Sequence, residues 1–258
     1  MNETNQTPPQ PPQLPPQMQY PTPQPVEDPT ERLPINGVAV AIESILRQPR
    51  RVQHALRQPG AARVIGALVI VAIVCALIYG VVVGTFSRGP QLWIAPLKIA
   101  GGLLVAAVIC LPSLYIFACL SGSRARLSEM AGLLAGLLLL TTLLLIGFAP
   151  VAWLFSESTK SLGWMGFLHL LFWGTATIFG MRFLSAGFAG TQARSNAGLN
   201  VWALIFILVC LQLTTALRPI IGTAPEVFPG ATEKKFFIKH WMDTLDKDTG
   251  GTRKNYNE

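Results

Sequence analysis

Charge is what this sequence has least of. Only 13% of its 258 residues are Asp, Glu, Lys or Arg, against roughly 25% in an ordinary soluble domain. Carboxylates are absent from the middle of every long apolar run, which argues against a carboxylate-driven proton or sodium coupling site. The four cysteines, Cys75, Cys110, Cys119 and Cys210, each fall inside such a run. A thiol there behaves as a small hydrophobe, so neither a disulfide framework nor a zinc site is expected. Paired carboxylates, a metal-ligand cluster and a nucleophile beside a base are not found. Ser121-Gly-Ser123 lacks the glycine spacing and the Lys-Ser or Lys-Thr ending of a phosphate cradle, and is a connection. His240 and Asp243 stand close in a polar tail without a nucleophile and are surface residues. No enzyme activity, cofactor or bound metal is expected.

What the sequence has in abundance is long apolar stretches. The hydrophobic fraction is 51% and the mean hydropathy is +0.45, which makes a water-soluble fold improbable. Crossing a bilayer takes about 20 apolar residues, and five runs meet that length: 64–86, 96–120, 130–155, 163–184 and 200–221. The expected fold is therefore all-α, a polytopic transmembrane helical bundle of about five spans occupying 63–222. Residues 1–36 hold eleven of the twenty prolines with glutamines between them. Such a segment has little to bury and is expected to be a disordered, solvated tail. It is also too polar to be a secretory signal peptide.

Residues 37–62 alternate apolar Val38, Ile42, Ile45, Leu46, Val52 and Leu56 with Arg47, Arg50, Arg51 and Arg57. That pattern predicts an amphipathic juxtamembrane segment lying on the membrane surface. Residues 223–258 form a polar tail whose stretch 234–242 mixes aromatic and basic residues as an interfacial segment does. The net charge of +7 and pI of 9.5 do not point to nucleic acid, because six of the twenty basic residues lie between Arg32 and Arg63, just ahead of the first span. They suit a topology signal facing anionic lipid. An N-terminus in the cytoplasm collects Arg32, Arg47, Arg50, Arg51, Arg57, Arg63, Arg124, Arg126, Arg182 and Arg194 on that side, against Arg88, Lys98 and Lys160 opposite. Ten against three favours that orientation. Five spans then leave the basic residues of the C-terminal tail on the outer side, against the same rule.

Two glycine pairs at four-residue spacing, Gly80 with Gly84 and Gly132 with Gly136, suit close helix packing. Pro112 and Pro219 predict kinks that free backbone carbonyls. Beside them Tyr115, Gln212 and Arg218 are the candidates for a polar pathway. Ser113, Thr141, Thr142, Thr175, Thr177, Thr214 and Thr215 are expected to join helices by hydrogen bonds. Lys98, Arg182 and Arg218 sit near span ends and are expected to reach back to the headgroups. His169, without a second histidine or a carboxylate nearby, is expected to be a packed, hydrogen-bonded residue.

Three stretches carry a resemblance: Leu46-Arg-Gln-Pro-Arg-Arg51, Ile109-Cys-Leu-Pro-Ser-Leu-Tyr-Ile-Phe117, and Gln212-Leu-Thr-Thr-Ala-Leu-Arg-Pro-Ile-Ile-Gly222. Over about residues 40–242 the chain resembles an uncharacterised family of bacterial polytopic membrane proteins. That resemblance implies an inner-membrane bundle and brings no activity and no catalytic residues. In architecture alone the layout is similar to that of the Yip-type membrane-trafficking proteins. The function expected is a non-enzymatic membrane scaffold or assembly component, with a small transporter or channel as the alternative. The partners expected are the lipid bilayer, further copies of the chain and other membrane proteins.

Overall fold

The computed structural model describes residues 33–35, 37–87, 91–158 and 162–216. The Pro/Gln-rich tail, Arg218, Pro219 and the interfacial stretch 234–242 lie outside the described residues. Within them the chain forms seven helices and no strand: α1 (Val38–Arg47), α2 (Pro49–Leu56), α3 (Ala61–Ser87), α4 (Gln91–Leu120), α5 (Leu127–Ser158), α6 (Leu162–Ala189) and α7 (Ala197–Ala216). The last five are long and apolar enough to cross a membrane.

Each of the first four long helices starts before its apolar run or ends beyond it. α5, for instance, has 32 residues, about 48 Å at 1.5 Å per residue, against a hydrocarbon core about 30 Å thick. The backbone stays helical past the apolar boundary because its hydrogen bonds are already satisfied within the helix. Glu129 in the first turn of α5 also complements the positive end of the helix dipole. Pro96, Pro112 and Pro150 all lie inside helices. α4 continues as a helix from Gln91 to Leu120 with Pro112 inside it, where the proline has no N–H to give to the ladder. A membrane helix tolerates the loss of one donor where the backbone has other partners.

The five long helices pack in a row. α3 packs between α4 and α5, which also touch each other, while α7 packs on α4 and α6 on α5, with α6 also reaching α3 at His169. α5 is the most enclosed, with 61% of its apolar window buried, while α7, at the edge of the row, buries only 17%. The facing pairs of α5 and α6, Leu133 with Gly187, Gly136 with Phe183 and Thr141 with Gly180, show that these neighbours run antiparallel.

α1 and α2 do more than lie on a membrane surface, as the sequence reading had it. They pack into one end of the bundle, touching α3, α5 and α6, and bury Ala41, Ile45, Val52 and Leu56 there. α1 stops at Arg47 because the residue before a proline is pushed out of helical geometry. Gln48 sits at φ −132°, ψ 62°, and Pro49 opens α2, a position where its missing N–H costs nothing. The Gln53 amide donates to the Phe183 carbonyl at 3.2 Å. Arg51 clamps the incoming chain through the Leu33 and Pro34 carbonyls at 3.0 and 2.9 Å.

Candidate functional site

The small residues chosen from the sequence are all engaged inside the chain. A methyl at Gly80 would run into the Pro96 backbone of α4, and Gly84 on the same helix is buried. At Gly132 it would lie 2.5 Å from the Leu56 side chain of α2, and at Gly136 it would strike the Phe183 ring of α6. Gly80, Gly132 and Gly136 are packing positions, as expected, and the neighbours they pack against belong to this same chain.

Four further glycines of this kind were missed. Gly180 and Gly187 seat α6 on α5, Gly190 lies under the Arg57 guanidinium, and Gly198 seats α7 against Phe117 of α4 and Ser121 just after it. The seven-residue spacing of Gly180 and Gly187 was the available signal, since it keeps both on one helix face. A four-residue search passes over it.

Polar side chains within the spans turn mostly to their own helix. Thr85, Ser113, Thr142, Thr175 and Thr214 each donate to a carbonyl three or four residues back, at 2.6 to 2.9 Å. A hydroxyl that bonds within its own helix cannot at the same time donate to another. Thr85 Oγ1 and Ser156 Oγ stand 3.5 Å apart, but each gives its proton to its own helix, to the Val82 and Trp153 carbonyls. Between spanning helices, Trp202 Nε1 of α7 donates to the Cys110 carbonyl of α4 at 2.9 Å. In the interior, Tyr79 Oη of α3 meets His169 Nδ1 of α6 at 2.7 Å with the rings edge to face.

His169 is thus the packed, hydrogen-bonded residue expected, and its partner is a tyrosine ninety positions away. Its Nε2 is buried and has no hydrogen-bond partner among the described residues, so within them the pair is only half satisfied. Tyr79→Phe should therefore destabilise the bundle by about 1–2 kcal/mol, since it strands the second ring nitrogen as well. Adding His169→Leu should recover most of that loss, because removing both partners leaves nothing polar to strand. Equilibrium unfolding in mixed micelles measures both. Equal losses in the single and double variants would mean that stranding the imidazole costs nothing, and no loss in Tyr79→Phe that the hydrogen bond contributes nothing.

Of the residues expected to form a polar pathway, Pro112, Tyr115 and Gln212 are described and do not come together, while Arg218 and Pro219 lie outside the described residues. Pro112 is exposed and Tyr115 half-buried on α4. α7 runs antiparallel to α4, with Gly198 against Phe117 and Ser121, and Trp202 at Cys110. Gln212 is exposed and stands ten residues beyond Trp202, about 15 Å further along the axis. Lys98 also departs from expectation. It was to snorkel, yet only 5% of it is exposed.

One end of the bundle gathers the charge. The start of α3, the loop 121–126, the turn 190–196 and the stretch from α1 to Arg57 lie there with eight arginines from Arg47 to Arg194. The two loops are strapped together. The Arg124 N–H donates to the Thr191 carbonyl at 3.3 Å, the Arg194 N–H to the Ser121 carbonyl at 2.9 Å, and Ser123 Oγ to Thr191 Oγ1 at 2.7 Å. Gly122 at φ +76° and Gln192 at φ +61° make the tight turns this requires. Arg57 ties α2 in, donating to the Gly187 carbonyl at 3.4 Å near the C-terminal end of α6, where a cation is favoured by the helix dipole.

Comparison with protein-family models, with curated proteins and with solved structures finds no match. What is established is therefore the class: an α-helical membrane protein with five spanning helices among the described residues and a short amphipathic helix pair packed on its basic end. Neither the bacterial-family resemblance nor the Yip-type likeness gains support from these comparisons.

Proposed function

We propose that this chain is a non-enzymatic scaffold of a bacterial inner membrane, multi-pass with a cytoplasmic N-terminus, that holds further copies of itself or other membrane proteins along the open edge of its helix row. The observation that carries this reading is the asymmetry of α7. One stripe, Leu199, Trp202 and Phe206, is fully buried on α4, while Val201, Leu204, Ile207 and Leu208 remain exposed. Association between membrane helices depends on close packing rather than on escape from water, and an edge helix with so much free surface can accept a neighbour without disturbing the bundle. A photo-cross-linking residue at position 204 should capture another protein chain in native membranes. The same group at position 147, exposed on α5, serves as the comparison. Capture of lipid alone at position 204, together with a monomer after gentle solubilisation, would remove the scaffold reading.

A small transporter is the second reading, favoured by one observation. Lys98, with 5% exposure, lies well inside the outer part of α4, where an ionisable group is a candidate for function by default. Substrate flux in proteoliposomes that Lys98→Met abolishes would support this reading, and equal flux in wild type and variant would exclude Lys98 from the path.

A further inference from the structure

The strapped loops at the basic end form a surface of a kind that neither glycine packing nor lateral assembly calls for. Arg57, Arg124, Arg126 and Arg194 come from three segments far apart in sequence, and all four are exposed. They are also positioned. Arg57 lies over Gly190 while donating to the Gly187 carbonyl, Arg124 is fixed through its backbone to Thr191, and the Arg194 side chain lies across Gly122, whose Cβ position is 3.5 Å from its Cγ and Cδ. Arg63 stands in the first turn of α3, at the same end of the bundle. Carboxylates at this end among the described residues are Glu43, which pairs with Arg47 at 3.4 Å, and Glu129 in the first turn of α5. The cationic surplus there is large.

Apolar neighbours decide what kind of anion fits. Leu120 and Leu127 flank the loop 121–126 and are 76% and 50% exposed. The guanidinium groups therefore stand at the boundary where hydrocarbon gives way to headgroups. A nucleic acid or a soluble phosphate would meet the arginines and leave both leucines bare. A phospholipid covers both, its phosphate on the guanidinium groups and its acyl chains on the leucines. Arginine suits this, because its planar fork grips phosphate oxygens in pairs and is always charged.

We propose that the strap formed by loops 121–126 and 190–196, with Arg57 of α2 lying across it, is a binding site for the headgroups of anionic phospholipids. Occupancy ties α2, α5, α6 and α7 together through one lipid layer, so binding stabilises the folded chain. It also falls with rising ionic strength, as contacts between exposed charges do.

The test uses the full chain in neutral detergent, with thermal unfolding and native mass spectrometry as readouts. Three probes are compared: phosphatidylglycerol, phosphatidylcholine and inorganic phosphate. Phosphatidylglycerol should raise the unfolding temperature and remain bound in the mass spectrum, and the other two should do neither. The triple variant Arg124→Gln, Arg126→Gln and Arg194→Gln should bind phosphatidylglycerol at least tenfold more weakly. Its unfolding temperature in phosphatidylcholine should stay unchanged, since all three side chains are exposed. Replacing the same three by lysine should restore most of the binding. The proposal is overturned if phosphatidylcholine binds as well as phosphatidylglycerol, if inorganic phosphate reproduces the shift, or if the glutamine variant retains wild-type affinity.

Discussion

Trp202→Ala is expected to free α7 from the bundle while the other four spanning helices stay together. α7 packs on α4 and buries three large side chains there, Leu199, Trp202 and Phe206. Trp202 is fully buried, stacks on Phe206 with ring centroids 5.2 Å apart, and supplies the indole N–H that the Cys110 carbonyl accepts. Truncating a buried tryptophan costs roughly 3–5 kcal/mol in soluble cores. Here about 3 kcal/mol is expected, because lipid can fill part of the space and the loss is one of contact rather than of exposure to water. Thiol labelling gives the readout: Cys110, buried beneath the indole, should gain reactivity towards a small permeant maleimide, whereas Cys75 in α3 should not. Trp202→Phe keeps the ring and loses the donor, so a milder loss of about 1 kcal/mol is expected. Unchanged Cys110 labelling in Trp202→Ala would show that α7 is held by something other than this stripe.

Gly80→Ala is expected to be the most damaging single-methyl change among the helix glycines. The new Cβ would collide with the Pro96 Cα, which belongs to a backbone and cannot rotate aside. Overpacking of this kind costs about 1–3 kcal/mol and occasionally more. The comparison that isolates the effect is Gly174→Ala or Gly147→Ala, where a Cβ meets nothing within 4 Å. There the better helix propensity of alanine should be neutral or stabilising by up to about 1 kcal/mol. Gly136→Ala should fall between, since the Phe183 ring it meets is a side chain able to yield. Unfolding midpoints in mixed micelles rank the four variants. A Gly80 variant as stable as the Gly174 variant would mean that the α3–α4 crossing is looser than the structure gives.

The spans were legible because lipid imposes a one-dimensional requirement. Some twenty apolar residues in sequence suffice to mark a crossing whatever the neighbours do, and all five runs became helices. Helix ends were less legible, and Leu127-Ser-Glu129 shows why: polar residues at the headgroup level continue a helix as readily as apolar ones. Gly80 and Gly132 were legible as packing positions, but not what each packs against. Gly132 takes Leu56 of an amphipathic helix that the pattern alone assigned to the membrane surface. Tyr79 and His169 were each visible as polar groups in apolar runs. Nothing in either run points to the other, because a pairing across ninety residues depends on how α3 and α6 are turned.

By itself, then, the sequence determined the solvent this chain lives in, the five crossings found among the described residues and the grouping of arginines ahead of the first, since each follows from the transfer energy of residues taken one after another. Only the tertiary structure decided the order of the row, with α7 at one edge and α6 at the other, the closing of the glycine faces within the chain, and the strapping of the two basic loops. Those outcomes rest on shape: inside a bilayer every helix face is about equally apolar, so close fit between particular side chains, such as Pro96 on Gly80 or Trp202 on Cys110, chooses which faces meet.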